Sequence, residues 1–153
     1  MRVDTADRQW RDLANAAPMP VAGGENFTTA EMFAEAIASG AYGIIQPDVA
    51  KWGGISGCFE VGRKALDAGR TYCPHFLGGA IGLFASAHLM AAVGGSGMLE
   101  IDANDNPLRG AVTTAALAVA GGELSLSDAP GLGAEPDLPR IAQFETWRGE
   151  ATA

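Results

Sequence analysis

Four titratable residues follow short apolar stretches at nearly regular intervals along this sequence of 153 residues. They are Glu25, Asp48, His75 and Glu100, and each interval is about 25 residues, close to one strand-plus-helix unit. A single acid after an apolar stretch is common at a turn. Four such residues in consecutive units, with a histidine among them, indicate a functional site instead.

The residue types define the chemistry that such a site could perform. A carboxylate aimed into a cleft suits a hard divalent cation such as Mg²⁺, which prefers oxygen ligands. An Asp beside a His suits general-base catalysis, because the Asp accepts a hydrogen bond from one ring nitrogen and leaves the other nitrogen for a proton. A base together with a cation is what proton abstraction beside a carboxylate requires, since the enediolate that forms is negatively charged.

Hydrophobic periodicity predicts an alternation of helices and strands that would position these residues. Strands that alternate with helices imply a parallel sheet with right-handed crossovers. The four titratable residues would then project from the carboxyl edge of the sheet, where parallel α/β enzymes hold their active sites. The predicted helices cover 4–17, 28–40, 55–69 and 79–95, and the predicted strands cover 19–25, 42–46, 70–76 and 97–102.

The ends and apolar faces of these helices can also be predicted. Thr28 and Glu31 have the spacing of a capping box at the start of the second helix. Helical spacing places Trp10, Leu13, Ala14 and Ala17 on the apolar face of the first helix, and it places Ile55, Phe59, Ala65 and Leu66 on the inward face of the third.

Composition excludes several classes of function. The formal charge is −8 and the ten basic residues are scattered, so neither nucleic acid nor an anionic membrane is expected as a partner. The most apolar stretch, 80–93, is shorter than the roughly 18 to 20 residues that span a bilayer, and the N-terminus lacks an apolar signal core. Cys58 and Cys73 lack the spacing of a zinc site or a disulfide framework. These features predict a cytoplasmic protein without a membrane partner.

Four motifs, in this order and spacing, resemble the C-terminal half of the barrel domain of the enolase superfamily, within its mandelate racemase subgroup. They are "PVAGGEN", "IIQPDVAKWGGISG", "CPHFLGG" and "MLEID". The resemblance implies an α/β fold, a partial TIM-type (β/α) barrel of about four βα units with an irregular C-terminal tail. The implied limits are 1–110 for the half barrel and 111–153 for the tail segment of the same domain. One further strand is predicted in the tail, over 123–126.

The resemblance also implies a role for each recurring residue. Glu25 corresponds to a carboxylate that binds Mg²⁺, and Asp48 and His75 correspond to an Asp–His pair in which His75 is the acid/base. Glu100 corresponds to an acid that hydrogen-bonds the substrate's carboxylate or the enediolate oxygen. The muconate-lactonizing subgroup would carry a Lys on the strand of Asp48, so the mandelate racemase subgroup is the better match.

Residues close to the predicted site are further candidates. Lys51 and Trp52 lie in the loop over the site and are predicted to bind substrate, with an ordinary loop as the alternative. Asn26 neighbours the metal-binding acid and is a third candidate for substrate binding, since it could orient a ligand. His88 lies on an almost wholly apolar helix and is predicted to be a core or interface residue.

The implied function is that of a segment of a Mg²⁺-dependent enzyme that abstracts the α-proton of a hydroxy-carboxylate. Dehydration of an acid sugar is the expected reaction, and racemisation or epimerisation is the alternative. A hypothesis from another class is a truncated, non-catalytic fragment that only self-associates.

Parts of the family's pattern have no counterpart in these residues. They are a capping domain, four earlier barrel strands, a Lys-containing base motif and two further metal carboxylates. The Mg²⁺ ligand set is therefore expected to be incomplete, and the chain alone to be inactive. A half barrel would also leave two sheet edges open. We therefore expect a homo-oligomer or a complementary N-terminal fragment as partner, besides a small hydroxy-carboxylate or acid sugar.

Overall fold

The computed structural model describes residues 8–115, 118–147 and 149 as an alternation of helices and short strands. The helices are α1 Arg8–Ala16, α2 Ala30–Ser39, α3 Gly54–Asp67, α4 Ala80–Val93, α5 Pro107–Ala111 and α6 Leu138–Ile141, followed by a 3₁₀ helix Ala142–Phe144. The strands are β1 Ala22–Gly23, β2 Ile44–Ile45, β3 Thr71–Tyr72, β4 Val119–Ala120 and β5 Glu123–Leu124.

The first three strands form a parallel sheet in the order β1-β2-β3, which confirms the predicted α/β class. Ala22, Ile44 and Thr71 lie side by side in register. Pairing continues beyond the strands, where the His75 amide donates a hydrogen bond to the Pro47 carbonyl at 3.1 Å. The register of the sheet is therefore kept up to the edge at which the predicted site lies.

An aromatic core packs behind the sheet. Phe33 on α2 is 1% exposed and contacts two rings, Phe27 at 5.3 Å and Trp52 at 5.9 Å between ring centroids. Tyr42 continues the cluster, with its ring 6.0 Å from that of Phe27. Such tilted and edge-on contacts stabilise a core beyond the burial of the ring surfaces. Because Phe27 and Trp52 belong to the loops after β1 and β2, the core also anchors those loops.

The third helix buries only part of the predicted inward face. Ala65 is buried as predicted and Leu66 is half-buried. Ile55 and Phe59 are 51% and 38% exposed, so the prediction was wrong for these two residues. The reason is close packing, since Gly62 has no side chain and Val93 of α4 and Tyr72 of β3 lie directly against it. A face of small residues lets the helix approach its neighbours more closely than a face with Ile and Phe would. The buried residues of α3 are Cys58, Val61, Gly62 and Ala65.

Two further helix details differ from the sequence-based expectation. α2 is capped by Thr29, whose Oγ1 accepts a hydrogen bond from the Met32 amide at 3.2 Å, so Thr28 is not the cap. On α1, Trp10 of the predicted apolar face packs on the aromatic core, whereas Leu13 of the same face is 48% exposed.

The segment over 97–102 does not form the predicted fourth strand, and this prediction was wrong. Gly97 lies against the Tyr72 carbonyl, where a side chain would not fit. The Met98 amide donates to the Cys73 sulfur at 3.3 Å and not to a backbone carbonyl of β3. The segment therefore runs beside β3 without a backbone ladder.

The tail contains a β-hairpin. β4 and β5 pair antiparallel, and the connecting Gly121 and Gly122 have φ of 62° and 82°. Two residues with positive φ are what a type I′ hairpin turn requires. The strand predicted over 123–126 is thus present as the second strand of this hairpin. The predicted domain limit after residue 110 falls inside α5 and stays a prediction.

α4 is almost wholly apolar and has 14 residues. It buries most of them and packs against α3. In the part of the chain that the structure describes, no helix has both the length and the apolar character needed to cross a membrane.

Phe33→Ala is expected to lower the free energy of unfolding by about 3–5 kcal/mol, because it leaves a cavity among packed rings. Urea denaturation followed by circular dichroism measures the loss. The matched control is Phe59→Ala, whose ring is 38% exposed on α3 and whose loss should stay below about 1 kcal/mol. Equal losses at the two positions would contradict the position of the core.

Candidate active site

Asp48 and His75 lie where two neighbouring strands end. Asp48 follows β2 and His75 follows β3 by three residues each, and their backbones form a parallel bridge. Directly opposed residues of neighbouring strands project to the same side of a sheet. Asp48 is 3% exposed and His75 is 4% exposed, so the two side chains meet in a buried position.

His75 is held through both ring nitrogens. Nδ1 lies 2.8 Å from Asp48 Oδ2, and Nε2 lies 2.9 Å from Glu25 Oε2. Both distances are within the range of hydrogen bonds. The Glu25 side chain is 47% exposed. The imidazole therefore contacts the buried Asp48 on one side and the half-exposed Glu25 on the other.

A tight turn after β2 orients the buried carboxylate. The Asp48 carbonyl accepts hydrogen bonds from the amides of Lys51 at 3.0 Å and Trp52 at 2.9 Å. Its Oδ1 accepts from the Ala50 amide at 2.8 Å, which leaves Oδ2 for His75. A carboxylate is tolerated in a buried position only when its oxygens have donors, and here both do. The turn thus makes Asp48 a suitable partner to orient the imidazole.

Lys51 and Asn26 connect the two carboxylates. Lys51 Nζ lies 3.7 Å from Asp48 Oδ2 and donates to Asn26 Oδ1 at 3.2 Å. Asn26 Nδ2 in turn donates to Glu25 Oε1 at 2.9 Å. The structure therefore brings both predicted substrate-binding residues to the cluster, where they contact its acids. Their binding of substrate stays a prediction.

Trp52, the third predicted substrate contact, packs into the aromatic core. Its ring lies against Phe33 and over Gly57, where an added side chain would meet the indole Nε1. Within the described ranges, Nε1 is buried and has no hydrogen-bond partner. This packing favours an anchoring role for Trp52, and its contact with substrate stays a prediction.

Glu100 is linked to the sheet through Gln46. The Gln46 side-chain amide donates to Glu100 Oε2 at 3.4 Å. Gln46 also lines a cavity of about 220 Å³ together with Glu25. Gln46 is not among the site residues predicted from the sequence. Its position two residues before Asp48 could have indicated it, since alternate residues of an extended chain point to the same side.

The described residues do not assemble a metal site by themselves. Among them, no group of three or more His, Cys, Asp or Glu side chains could hold a metal ion. Glu25 has the oxygen chemistry that Mg²⁺ prefers, but its two oxygens contact His75 and Asn26. Mg²⁺ requires near-octahedral coordination by oxygen. Glu25 is thus the one described carboxylate that the sequence assigned to Mg²⁺, and its role as a ligand stays a prediction.

Two buried cysteines lie near the cluster. Cys58 Sγ donates to the Trp52 carbonyl at 3.2 Å. Burial, together with the charge of Asp48, raises the pKa of the Cys58 thiol to about 12. Cys73 Sγ accepts from the Met98 amide. These contacts are structural, and Cys58 is a poor nucleophile near neutral pH because the thiolate is the reactive form.

Two further titratable residues have partners outside the cluster. His88 Nε2 lies 3.2 Å from the Leu132 carbonyl, which ties α4 to the tail. Asp102 pairs with Arg109 at 3.2 Å. The hydrogen bond from the Asn104 backbone, followed by the Asn104 side chain and the Arg109 charge, lowers the pKa of the Asp102 carboxyl. Both side chains thus have partners outside the cluster of His75.

Sequence comparison relates the chain to one protein family. A family model described as "Enolase C-terminal domain-like" matches residues 1–141. The chain is 31% identical over 135 residues to the D-galactarolactone cycloisomerase of Agrobacterium fabrum, covering 83% of this chain and 36% of that protein. It is 34% identical over 121 residues to the arabinonate dehydratase of Saccharolobus solfataricus, covering 79% of this chain and 32% of that protein.

A solved structure has the same fold. The mandelate racemase/muconate lactonizing enzyme from Bordetella bronchiseptica RB50 superposes with a TM-score of 0.86 at 49% identity, over 94% of this chain and 40% of that chain. This likeness confirms the predicted partial TIM-type barrel. The chain spans about a third of the length of the two curated relatives.

Cys58 is expected to resist alkylation in the folded chain. With a pKa of about 12, about one thiol in ten thousand is ionised at pH 8, and the side chain is 0% exposed. Iodoacetamide at pH 8 should therefore leave Cys58 unmodified in buffer and modify it in urea, as read by mass spectrometry of tryptic peptides. Because the thiolate fraction rises with pH, labelling in buffer should increase only in strongly alkaline solution. Rapid labelling at pH 8 would contradict this position of the thiol.

Proposed function

The chain belongs to the enolase C-terminal domain-like family, and we propose that it carries the acid–base part of an enzyme that abstracts the α-proton of a hydroxy-carboxylate. Dehydration of an acid sugar is the favoured reaction, since an arabinonate dehydratase is among the relatives. The observation that carries the proposal is the buried Asp48 bonded to Nδ1 of His75 at the edge where the parallel strands end.

His75 would act as the base through Nε2. The bond from Nδ1 to Asp48 holds the ring in one orientation, and the carboxylate would stabilise the imidazolium that forms when Nε2 takes a proton. Nε2 faces Glu25 at 2.9 Å, so a substrate carbon would reach it only after the Glu25 carboxylate turns aside. The 47% exposure of the Glu25 side chain leaves room for that movement.

Dehydration would use the abstracted proton a second time. His75 Nε2 takes the α-proton, and the electron pair of the broken C–H bond forms the enediolate. That electron pair then expels the β-hydroxyl group, which leaves as water after it receives the proton from His75. The resulting enol converts to a 2-keto acid, so the substrate loses one water and no oxidant is required.

Glu100 and Glu25 would contribute to binding. We place Glu100 at the substrate's carboxylate or the enediolate oxygen, with Gln46 as the residue that holds it. Glu25 would be one carboxylate ligand of Mg²⁺, whose charge stabilises an enediolate when the ion is bound. Because the described residues do not complete the ligand set, we assign no step to the metal.

Isomerisation is the second candidate, because the match to the D-galactarolactone cycloisomerase covers 83% of this chain. It would begin with the same proton abstraction by His75 and differ in the fate of the enediolate. Racemisation or epimerisation would need a second base on the opposite face of the substrate carbon. Lys51 is the basic side chain that contacts the cluster, and its bond to Asn26 makes it a poor candidate for that second base.

Association with further strands would complete the unit. Within the described residues, β1 is an outer strand of the parallel sheet and pairs with β2, whereas the segment 97–102 runs beside β3. Open sheet edges favour pairing with another chain or segment. We propose a second copy or a complementary barrel segment as this partner, with 1–110 as the barrel part and 111–153 as its tail. The chain alone would then turn over little substrate.

His75→Asn is expected to reduce dehydration by about 10²- to 10⁴-fold, because it removes the base and keeps a polar side chain. The assay offers a panel of aldonates and aldarates with Mg²⁺ and follows the 2-keto acid. Incorporation of solvent deuterium at the α-carbon of the recovered substrate measures proton abstraction separately. Both are measured on the chain alone and on the chain coexpressed with any barrel segment that its genome encodes beside it.

His88→Asn is the matched control, because the chain has two histidines and His88 binds the Leu132 carbonyl. This variant should keep turnover within about twofold of wild type. Deuterium incorporation that survives His75→Asn would contradict the assigned base. Association without turnover on any member of the panel would contradict dehydration and support the non-catalytic fragment.

A further inference from the structure

Five side chains form a closed ring of contacts around the proposed base. From His75 the ring passes through Asp48, Lys51, Asn26 and Glu25 and returns to His75. The five contacts measure 2.8, 3.7, 3.2, 2.9 and 2.9 Å in that order. The imidazole is therefore connected on both nitrogens to the loops that follow β1 and β2.

We propose that Lys51 and Asn26 are positioning residues, a bridge that links Glu25 to the Asp48–His75 pair. This role rests on the proposed function, which makes His75 the base. Lys51 attracts Asp48 by charge and donates to Asn26, and Asn26 donates to Glu25 Oε1, which leaves Oε2 opposite His75 Nε2. The two residues thus act through the carboxylates and not on the substrate.

The local backbone aims Lys51 at this place. The Asp48 carbonyl accepts from the amides of Lys51 and Trp52, so the chain turns back over the Asp48 carboxylate. Gly53 and Gly54 follow with φ of 59° and 57°, a conformation that other residues rarely adopt. The turn and the two glycines together keep Lys51 within reach of its partners.

Each bridging residue directly precedes an aromatic anchor. Phe27 follows Asn26, and Trp52 follows Lys51. Both rings pack on Phe33, at 5.3 and 5.9 Å between centroids. Because one core side chain holds both anchors, packing already sets the distance between the two loops. Because packing already fixes the two loops, forming the polar bridge between them costs little further conformational entropy.

The bridge also balances charge. Glu25 and Asp48 place two carboxylates around one imidazole. Among the described residues, Lys51 is the Lys or Arg whose charged group lies within 4.0 Å of Asp48. Asp48 is 3% exposed, so solvent and salt screen its charge less than they would at the surface. Lys51 is therefore placed to affect the geometry of the buried pair although its own side chain is 40% exposed.

Imidazole ¹⁵N spectra of the chain test the bridge, because there are two histidines and His88 provides the internal reference. The measured quantity is the rate at which the His75 Nδ1 proton exchanges with water at fixed pH. Lys51→Met and Asn26→Ala should each raise this rate about fivefold or more, since each removes one link of the bridge. Lys51→Arg should keep it near the wild-type value, because a guanidinium can still donate to Asn26.

Lys64→Met is the matched control. The Lys64–Glu60 pair has the same 3.7 Å separation, but its side chains are 66% and 71% exposed on α3. Exposed ion pairs of this kind contribute little to the stability of the fold. This variant removes the same charge and should leave the His75 exchange rate within about twofold of wild type. Circular dichroism of every variant verifies that the fold is kept.

The double variant Lys51→Met/Asn26→Ala distinguishes one bridge from two separate contacts. If the side chains act as one bridge, the double variant exchanges no faster than the faster single variant. Independent contacts would multiply the two effects. A multiplied effect, or a Lys51→Met rate within about twofold of wild type, overturns the proposal.

Kinetics separate positioning from substrate binding. Where turnover is measurable, Lys51→Met should lower kcat and change KM by less than about twofold, because the loss falls on the transition state. A raised KM with unchanged kcat would show that Lys51 binds the substrate and the transition state equally well, and it would overturn the proposal. The exchange measurement does not depend on turnover, so absence of turnover overturns the proposed function without removing the bridge.

Discussion

A hydrogen bond between two buried side chains, Asp48 and His75, constrains the whole site. Burying a carboxylate costs several kcal/mol unless donors replace the lost water, and the fold supplies them from the Ala50 amide and from His75 Nδ1. This bond forms only if β2 and β3 keep their register to the last bridge, since a slip of one residue would turn a side chain to the other face of the sheet. The sheet, the turn after β2 and the imidazole are therefore parts of one arrangement.

The aromatic core stabilises the two loops that follow β1 and β2. Phe33 holds Phe27 from the loop after β1 and Trp52 from the loop after β2. Polar residues directly before these rings, Asn26 and Lys51, are thereby brought to the acids of the site. Glu25 contacts the imidazole from the solvent side, and its side chain is 47% exposed.

Hydrophobic periodicity predicted the order of the helices and strands. It failed for features that depend on packing between elements. The alternation of elements, the parallel sheet and the placing of Asp48 and His75 at strand ends follow from periodicity, which each segment carries by itself. The exposure of Ile55 and Phe59 on α3 did not follow from periodicity, because Gly62 permits a close approach that outweighs the apolar size of these two residues. The strand expected at Glu100 did not form either, since the Met98 amide donates to a sulfur and not to a backbone ladder.

The sequence by itself determined the order of the elements and the chemical types at the ends of the strands, because periodicity and residue type are local properties. Only the tertiary structure decided that Asp48 meets Nδ1 and Glu25 meets Nε2 of His75, and that Lys51 and Asn26 lie between the two acids. Those contacts join residues from separate loops. They depend on strand register and on how each loop folds back over the core, and neither is encoded in the period of any single segment.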